Sequence, residues 1–432
     1  MILVLLLIFV IIFQISLMDF IEISKLFDYV RIKKSKPMLY RFFSKEEFDM
    51  KETLRQQKIL KFFLKNLAVI SQYKTNDHEV QAINSFINDS NYENYNFTTK
   101  LFYTADFDKI NNNIAFFIHF FYSFKILLEK IISNDRSDNY NQQMIDIVDF
   151  INTFSIDEQF LLLSKNRLTF NKRKALLKKI VEVSDQKGFM NFWNFFYMFD
   201  VYYSIAKGIN VLGLCFPEFN NDGIFKIEEF YHLQIPRPVK NSVDFSNKNT
   251  IIFTGPNMSG KSTVMKSVSI IVLLTHLGIA VPAAYCNIPF YQKIKFFFNT
   301  TDSIENGHSY FMQELLNLKD VLSSVNSGQK CFVAFDEIFK GTNINDSIKI
   351  TIQVVNGLSK FSESKFIIST HLNMIEDKLE TMNCLKLKLK SSYANQQLEF
   401  SYKLEEGWSK LEVGSILFNQ LGISQLLNMV KL

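Results

Sequence analysis

Proline and glycine are scarce in this sequence, at seven and 14 among 432 residues, and cysteine is limited to four. Few chain breakers favour long helices and argue against glycine-rich linkers. The cysteines, Cys215, Cys286, Cys331 and Cys384, stand far apart and form no CxxC pair. That spacing argues against a zinc site and against a disulfide framework. A strong charge of either sign is also missing. The net charge of +5 permits a nucleic-acid or anionic-membrane partner without requiring one. No internal repeat is evident. What is abundant is phenylalanine, 45 residues, within a composition that is 47% hydrophobic and 21% charged. This is a globular composition, and the length leaves room for two or three domains with cores of their own.

The first 17 residues, MILVLLLIFVIIFQISL, carry no charge. As a helix they would extend roughly 26 Å, just short of a hydrocarbon core of about 30 Å. A positive leader and a small-residue cleavage site, the marks of a secretory signal, are not visible. Lys25, Arg31, Lys33, Lys34 and Lys36 follow. Residues 1–18 are therefore expected to be a membrane anchor with the rest of the chain on the cytoplasmic face. A start at Met18, giving a cytoplasmic protein, and a buried helix are the alternatives.

From Asp19 to about Gly213 the apolar residues recur at helical spacing, as in NNIAFFIHFFYSFKILLEKIIS and NFWNFFYMFDVYYSIAKGI. Residues 19–214 are read as a mostly helical domain. Its basic segment NKRKALLKKI reads more readily as an ordinary solvated face than as a phosphate contact. From Cys215 the texture changes. Short β-rich runs, TIIFT (Thr250 to Thr254), CFVAF (Cys331 to Phe335) and KFIIST (Lys365 to Thr370), alternate with helical segments. Residues 215–432 are expected to form a mainly parallel sheet with helices on both faces.

The chemistry concentrates in this second part. Gly255-x-x-x-x-Gly260-Lys261-Ser262 follows a strand and opens a helix, the setting of a phosphate-binding P-loop. Glycines let backbone N–H groups turn inward on phosphates, and the helix N-terminus adds partial positive charge. Lys261 would neutralise the β- and γ-phosphates and Ser262 would hold Mg²⁺. The strand CFVAF ends in Asp336, placed to hold Mg²⁺, and Glu337, suited to polarise an attacking water. The next apolar strand ends in Ser369-Thr370-His371, where a histidine can sense or stabilise the γ-phosphate. The other histidines lie in helical or apolar surroundings and suggest no role.

TGPNMSGKST, HSYFMQE, DEIFKGTN and STHL, in this order, resemble the ATPase domain of the MutS family of DNA mismatch repair proteins. GWSKLEVG, Gly407 to Gly414, is similar to the family's segment after its last strands. The resemblance covers the chain from Cys215 onward; before it, the helices are similar in texture to the family's core and lever. It implies an ABC-type ATPase using ATP and Mg²⁺. Gly255, Pro256, Asn257, Met258, Ser259, Gly260, Lys261, Ser262 and Thr263 would cradle the nucleotide. Ser262 and Asp336 would serve the metal, and Glu337, His371 and Ser309 would serve catalysis. It further implies a dimer, taken here as a homodimer, in which Ser309 of one domain reaches the γ-phosphate held by the other. Asp302, Gly341 and Thr342 match positions flanking the site.

The sequence also departs from the family. No compact mismatch-reading domain precedes the helices, and the one early Phe-x-Glu, Phe20 to Glu22, abuts the apolar segment. A short form without the mismatch reader is the expectation, binding duplex or branched DNA without preferring a mismatch. An aromatic residue that would stack on adenine is missing near Val239; Tyr402 could supply one face instead. The leading expectation is a MutS-like DNA-binding ATPase in which ATP drives a dimeric clamp. The alternative is a membrane-tethered, ATP-switched adaptor for protein partners. A small-molecule P-loop kinase fits the residue set less well.

Overall fold

A computed structural model describes residues 22–88, 104–133, 139–185, 188–256, 258–298, 310–379, 383–394, 397–411 and 413–428. Residues 1–17, the expected anchor, lie outside this set. No helix among the described residues is long and apolar enough to cross a membrane. The chain divides into two compact units. One comprises residues 23–43 and 58–211; the other comprises residues 44–57 together with 212–432.

The first unit is helical. Its elements are α1 (Ser35–Phe43), the second half of α2 (Met50–Lys65), α3 (Leu67–Gln72), α4 (Asp77–Asn88), α5 (Thr104–Ile131), α6 (Asn139–Asn152), α7 (Ile156–Ser164), α8 (Phe170–Asp185) and α9 (Gly188–Leu212). No proline or glycine interrupts α5, so it runs unbroken for 28 residues. The phenylalanine bias finds its use here. Phe192, Phe196 and Phe199 of α9 are buried against rings of α2 and α5, at 4.7 Å for Phe121 with Phe192 and 4.8 Å for Phe63 with Phe199. Each fully buried ring stabilises the fold by roughly 1.5–3 kcal/mol. Buried charge interrupts this core at Asp200. Asp200 of α9 is buried, and it accepts from the Arg31 and Ile32 amides at 3.1 Å and from Arg31 Nε at 3.1 Å. The guanidinium also lies 4.0 Å from the centre of the Tyr203 ring. A buried carboxylate is tolerated because donors surround it.

The second unit is α/β. Its strands are β1 (Glu218–Asn220), β2 (Lys226–Phe230), β3 (Asn241–Asp244), β4 (Thr250–Thr254), β5 (Tyr285–Pro289), β6 (Lys293–Phe297), β7 (Cys331–Phe335), β8 (Lys365–Ser369), β9 (Cys384–Ala394) and β10 (Gln397–Glu406). Its helices are α10 (Lys261–His276), α11 (Tyr310–Asn326), α12 (Ile344–Leu358), α13 (Val413–Gln420) and α14 (Ile423–Asn428). The larger sheet runs β10-β9-β4-β8-β7-β6. All its pairs are parallel except β9 with β10. Every residue of β4, β7 and β8 is buried, as expected where helices cover both faces of a parallel sheet. A smaller, mostly antiparallel sheet runs β1-β5-β2-β3. Strand order decides the site, because β8 lies between β4 and β7. The carboxyl ends of these three neighbours therefore bring the Gly255–Thr263 loop, His371 and Asp336-Glu337 to one edge.

Candidate nucleotide site

After Thr254 the chain turns sharply into α10, and two glycines allow the turn. Gly255 has φ 149°, and a Cβ there would lie 2.8 Å from Ser259 Oγ. Gly260 has φ 96°, and its Cβ would lie 3.2 Å from Tyr402 Cδ1. Met258 takes φ 68° and exposes its side chain, while Asn257 lies outside the described residues. Ser262 and Thr263 are half-buried in the first turn of α10.

Lys261 is buried, and its ammonium donates to the carbonyls of Gly255 (2.6 Å) and Pro256 (3.2 Å). Burial lowers its pKa to about 8, against the opposing pull of Glu337 and Asp336. Ser259 Oγ is buried and has no hydrogen-bond partner among the described residues. A buried cation that, among the described residues, is satisfied by its own loop alone, and a hydroxyl unpartnered among them beside a 16-residue helix N-terminus, suit a polyphosphate.

The acids at the end of β7 are tied to the end of β8 by a residue the sequence did not single out. Ser369 is fully buried; its hydroxyl donates to Asp336 Oδ1 (2.6 Å) and accepts from the Glu337 amide (2.7 Å). Asp336 is buried, and its Oδ2 accepts no hydrogen bond among the described residues. Glu337 has φ 57°, with Oε1 2.5 Å from His371 Nε2 and Oε2 2.5 Å from Lys340 Nζ. The His371 hydrogen bond, followed by that of Lys340, outweighs burial and lowers the Glu337 carboxyl to about 2. Lys340 stands within DEIFKGTN, three residues after Glu337, but nothing in the sequence assigned it a role.

Beyond the acids, Phe339 has φ 59° with its ring buried, and Glu314 of α11 accepts its amide at 2.9 Å. Gly341 is exposed and Thr342 half-buried, just before Asn343 caps α12. Ser309 and Asp302 lie outside the described residues. The structure thus brings together Lys261, Asp336, Glu337 and His371. Tyr402 lies against the loop at Gly260, and Val239 is exposed on the approach to β3.

A parallel sheet with a glycine-bounded loop, buried lysine and paired acids at its carboxyl edge has the architecture of a P-loop domain. Within that class, residues 251–423 match the family described as MutS domain V. The protein named DNA mismatch repair protein MutS of Thermodesulfovibrio yellowstonii is 28% identical over 229 residues, covering 50% of this chain and 27% of that protein. The same-named protein of Finegoldia magna is 30% identical over 219 residues, covering 48% and 25% respectively. That of Bacillus subtilis is 28% identical over 202 residues, 44% of this chain and 23% of that one. On these matches the chain is similar to MutS proteins through its C-terminal half. The match spans about a quarter of their length.

Proposed function

We propose that this chain is a MutS-like ATPase whose nucleotide cycle governs binding to DNA, duplex, branched or mismatched. The observation that carries this reading is the meeting of buried Lys261 with Asp336, Glu337 and His371 at one edge of a parallel sheet. ATP would supply the γ-phosphoryl group, and Mg²⁺, when bound, would neutralise charge on it. The loop from Gly255 to Thr263, with Pro256, Asn257, Met258, Ser259 and Gly260 between, wraps the phosphates. Lys261 exchanges its two carbonyl partners for phosphate oxygens. Ser262 and Asp336 would hold the metal.

Glu337 orients and deprotonates water. In its present contacts it is too weak a base for that task. Transfer of the His371 hydrogen bond from Glu337 to the γ-phosphate frees one carboxylate oxygen and raises its basicity. Phosphate binding and activation of the base are thereby coupled. Tyr402 offers one face to the adenine, and Ser309 acts on the γ-phosphate of a second copy in a homodimer.

A binding panel of homoduplex, mismatched duplex, four-way junction and single strand, with and without ATP, tests the DNA assignment. Affinity should fall linearly with salt on logarithmic axes, through release of counterions, and should change with ATP. No DNA binding at low salt in either nucleotide state would favour an ATP-switched adaptor of proteins.

A further inference from the structure

β10 is not a regular strand. Its pairing with β9 shifts register between Phe400 and Leu404, and Tyr402 within that bulge takes φ 56°. A tyrosine in the left-handed region is strained, so something must hold it. The holding group is Asn241, the first residue of β3 and itself buried. Its Nδ2 donates to Tyr402 O (2.9 Å), and its Oδ1 accepts from the Leu404 amide (2.9 Å). One carboxamide thus satisfies an acceptor and a donor that the bulge removes from the β9 ladder. Lys403 Nζ donates to Lys240 O at 2.7 Å and fastens the same two segments again.

The consequence falls on the nucleotide site. The Tyr402 ring approaches Gly260 so closely that a Cβ there would meet Cδ1 at 3.2 Å, yet the residue remains 46% exposed. A half-exposed ring fixed against the phosphate loop is a platform, and its place depends on the bulge. Neither Asn241 nor Lys240 belongs to the loop or to the acids.

We infer that Asn241 is a positioning residue for the nucleobase: by clamping the β10 bulge it fixes the Tyr402 ring beside the loop that takes the phosphates. The inference rests on the nucleotide reading proposed above and adds to it the part that recognises the base. It separates two sources of affinity. The phosphates are held by Lys261 and the loop amides, independently of Asn241. The base is held by stacking, which fails when the bulge relaxes.

The test compares ATP with inorganic tripolyphosphate, each with Mg²⁺, by calorimetry on the full chain. For Asn241→Ala, ATP should bind about tenfold more weakly, the scale of one base–aromatic stack, with tripolyphosphate affinity within twofold of wild type. Tyr402→Ala should reproduce this pattern, and the double variant should lose no more than either single one. Asn241→Asp keeps the acceptor for the Leu404 amide but sets a carboxylate against Tyr402 O; it should also lose ATP selectively. Unchanged ATP affinity in the Asn241 variants would overturn the inference. So would an equal loss for tripolyphosphate, which would make Asn241 a support of the whole domain. Wild-type protein that binds neither ligand would overturn the nucleotide reading itself, and this inference with it.

Discussion

Lys261 carries a conflict between burial and charge that gives its site a pH dependence. Its ammonium is lowered to about 8 by burial, with two carbonyls as its only hydrogen-bond partners among the described residues. Phosphate binds the ammonium and not the free amine. The affinity for Mg²⁺-ATP should be flat up to about pH 7 and fall as pH rises through 8. The expected loss is about tenfold between pH 7 and 9, following the fraction protonated. Titration calorimetry across that range checks it, and Lys261→Arg should bind more weakly but without the pH dependence. At this scale the sequence was legible where chemistry demands a residue type at fixed spacing, as for Gly255, Gly260, Lys261, Asp336 and His371. It was silent on Ser369, because a serine ending a strand has many uses and its two hydrogen bonds appear only when β7 and β8 are paired.

Among the elements, α10 links the phosphate loop to a segment distant in sequence. Its last residue, His276, is buried within an aromatic cage of Phe48, Phe219, Phe290 and Tyr291. Nδ1 lies 2.7 Å from Val272 O and therefore carries the proton, while Nε2 accepts from the Tyr291 amide at 2.8 Å. The Thr53 hydroxyl donates to His276 O at 2.7 Å, and Glu47 bridges to Lys293 on the edge strand β6. Residues 44–57 are thus joined to the nucleotide unit at the far end of α10. A single bridge and a few ring contacts leave no periodic trace in a sequence, whereas the five-residue apolar strands around the site do.

Burial lowers His276 to about 3, so its folded form is neutral. A depressed folded pKa means the contribution is complete above the unfolded value and is lost as pH falls. Below about pH 6.5, wild type should lose up to about 1.4 kcal/mol of stability per pH unit relative to His276→Gln, which cannot protonate. Denaturant unfolding at pH 7, 6 and 5 measures the difference; parallel pH profiles for the two proteins would contradict it.

For the whole molecule, the period of the apolar residues changes near Cys215, but residues 44–57 of the expected helical domain group with the α/β unit, which no local pattern suggested. The parallel strands TIIFT, CFVAF and KFIIST stand where the sequence suggested. The spatial order of strands was not legible: nothing local says that β8 inserts between β4 and β7. The homodimer proposed from Ser309 makes its own prediction. Mixing Ser309→Arg with Lys261→Ala subunits should restore one intact composite site per mixed dimer and recover part of the ATPase activity lost by each variant alone. Failure of recovery in proven mixed dimers would place each site within one chain.

The proposed function requires the acids at the end of β7 to act on ATP held by the loop after β4. Glu337→Gln removes the carboxylate proposed to take a proton from water but leaves Lys261 and Asp336 in place. Paired measurements of ATP binding and single-turnover hydrolysis on this variant are the most direct test. The account predicts ATP affinity within a few-fold of wild type and hydrolysis slowed by at least about 100-fold, the usual worth of a general base. Hydrolysis at the wild-type rate, or no ATP binding by either protein, would contradict it.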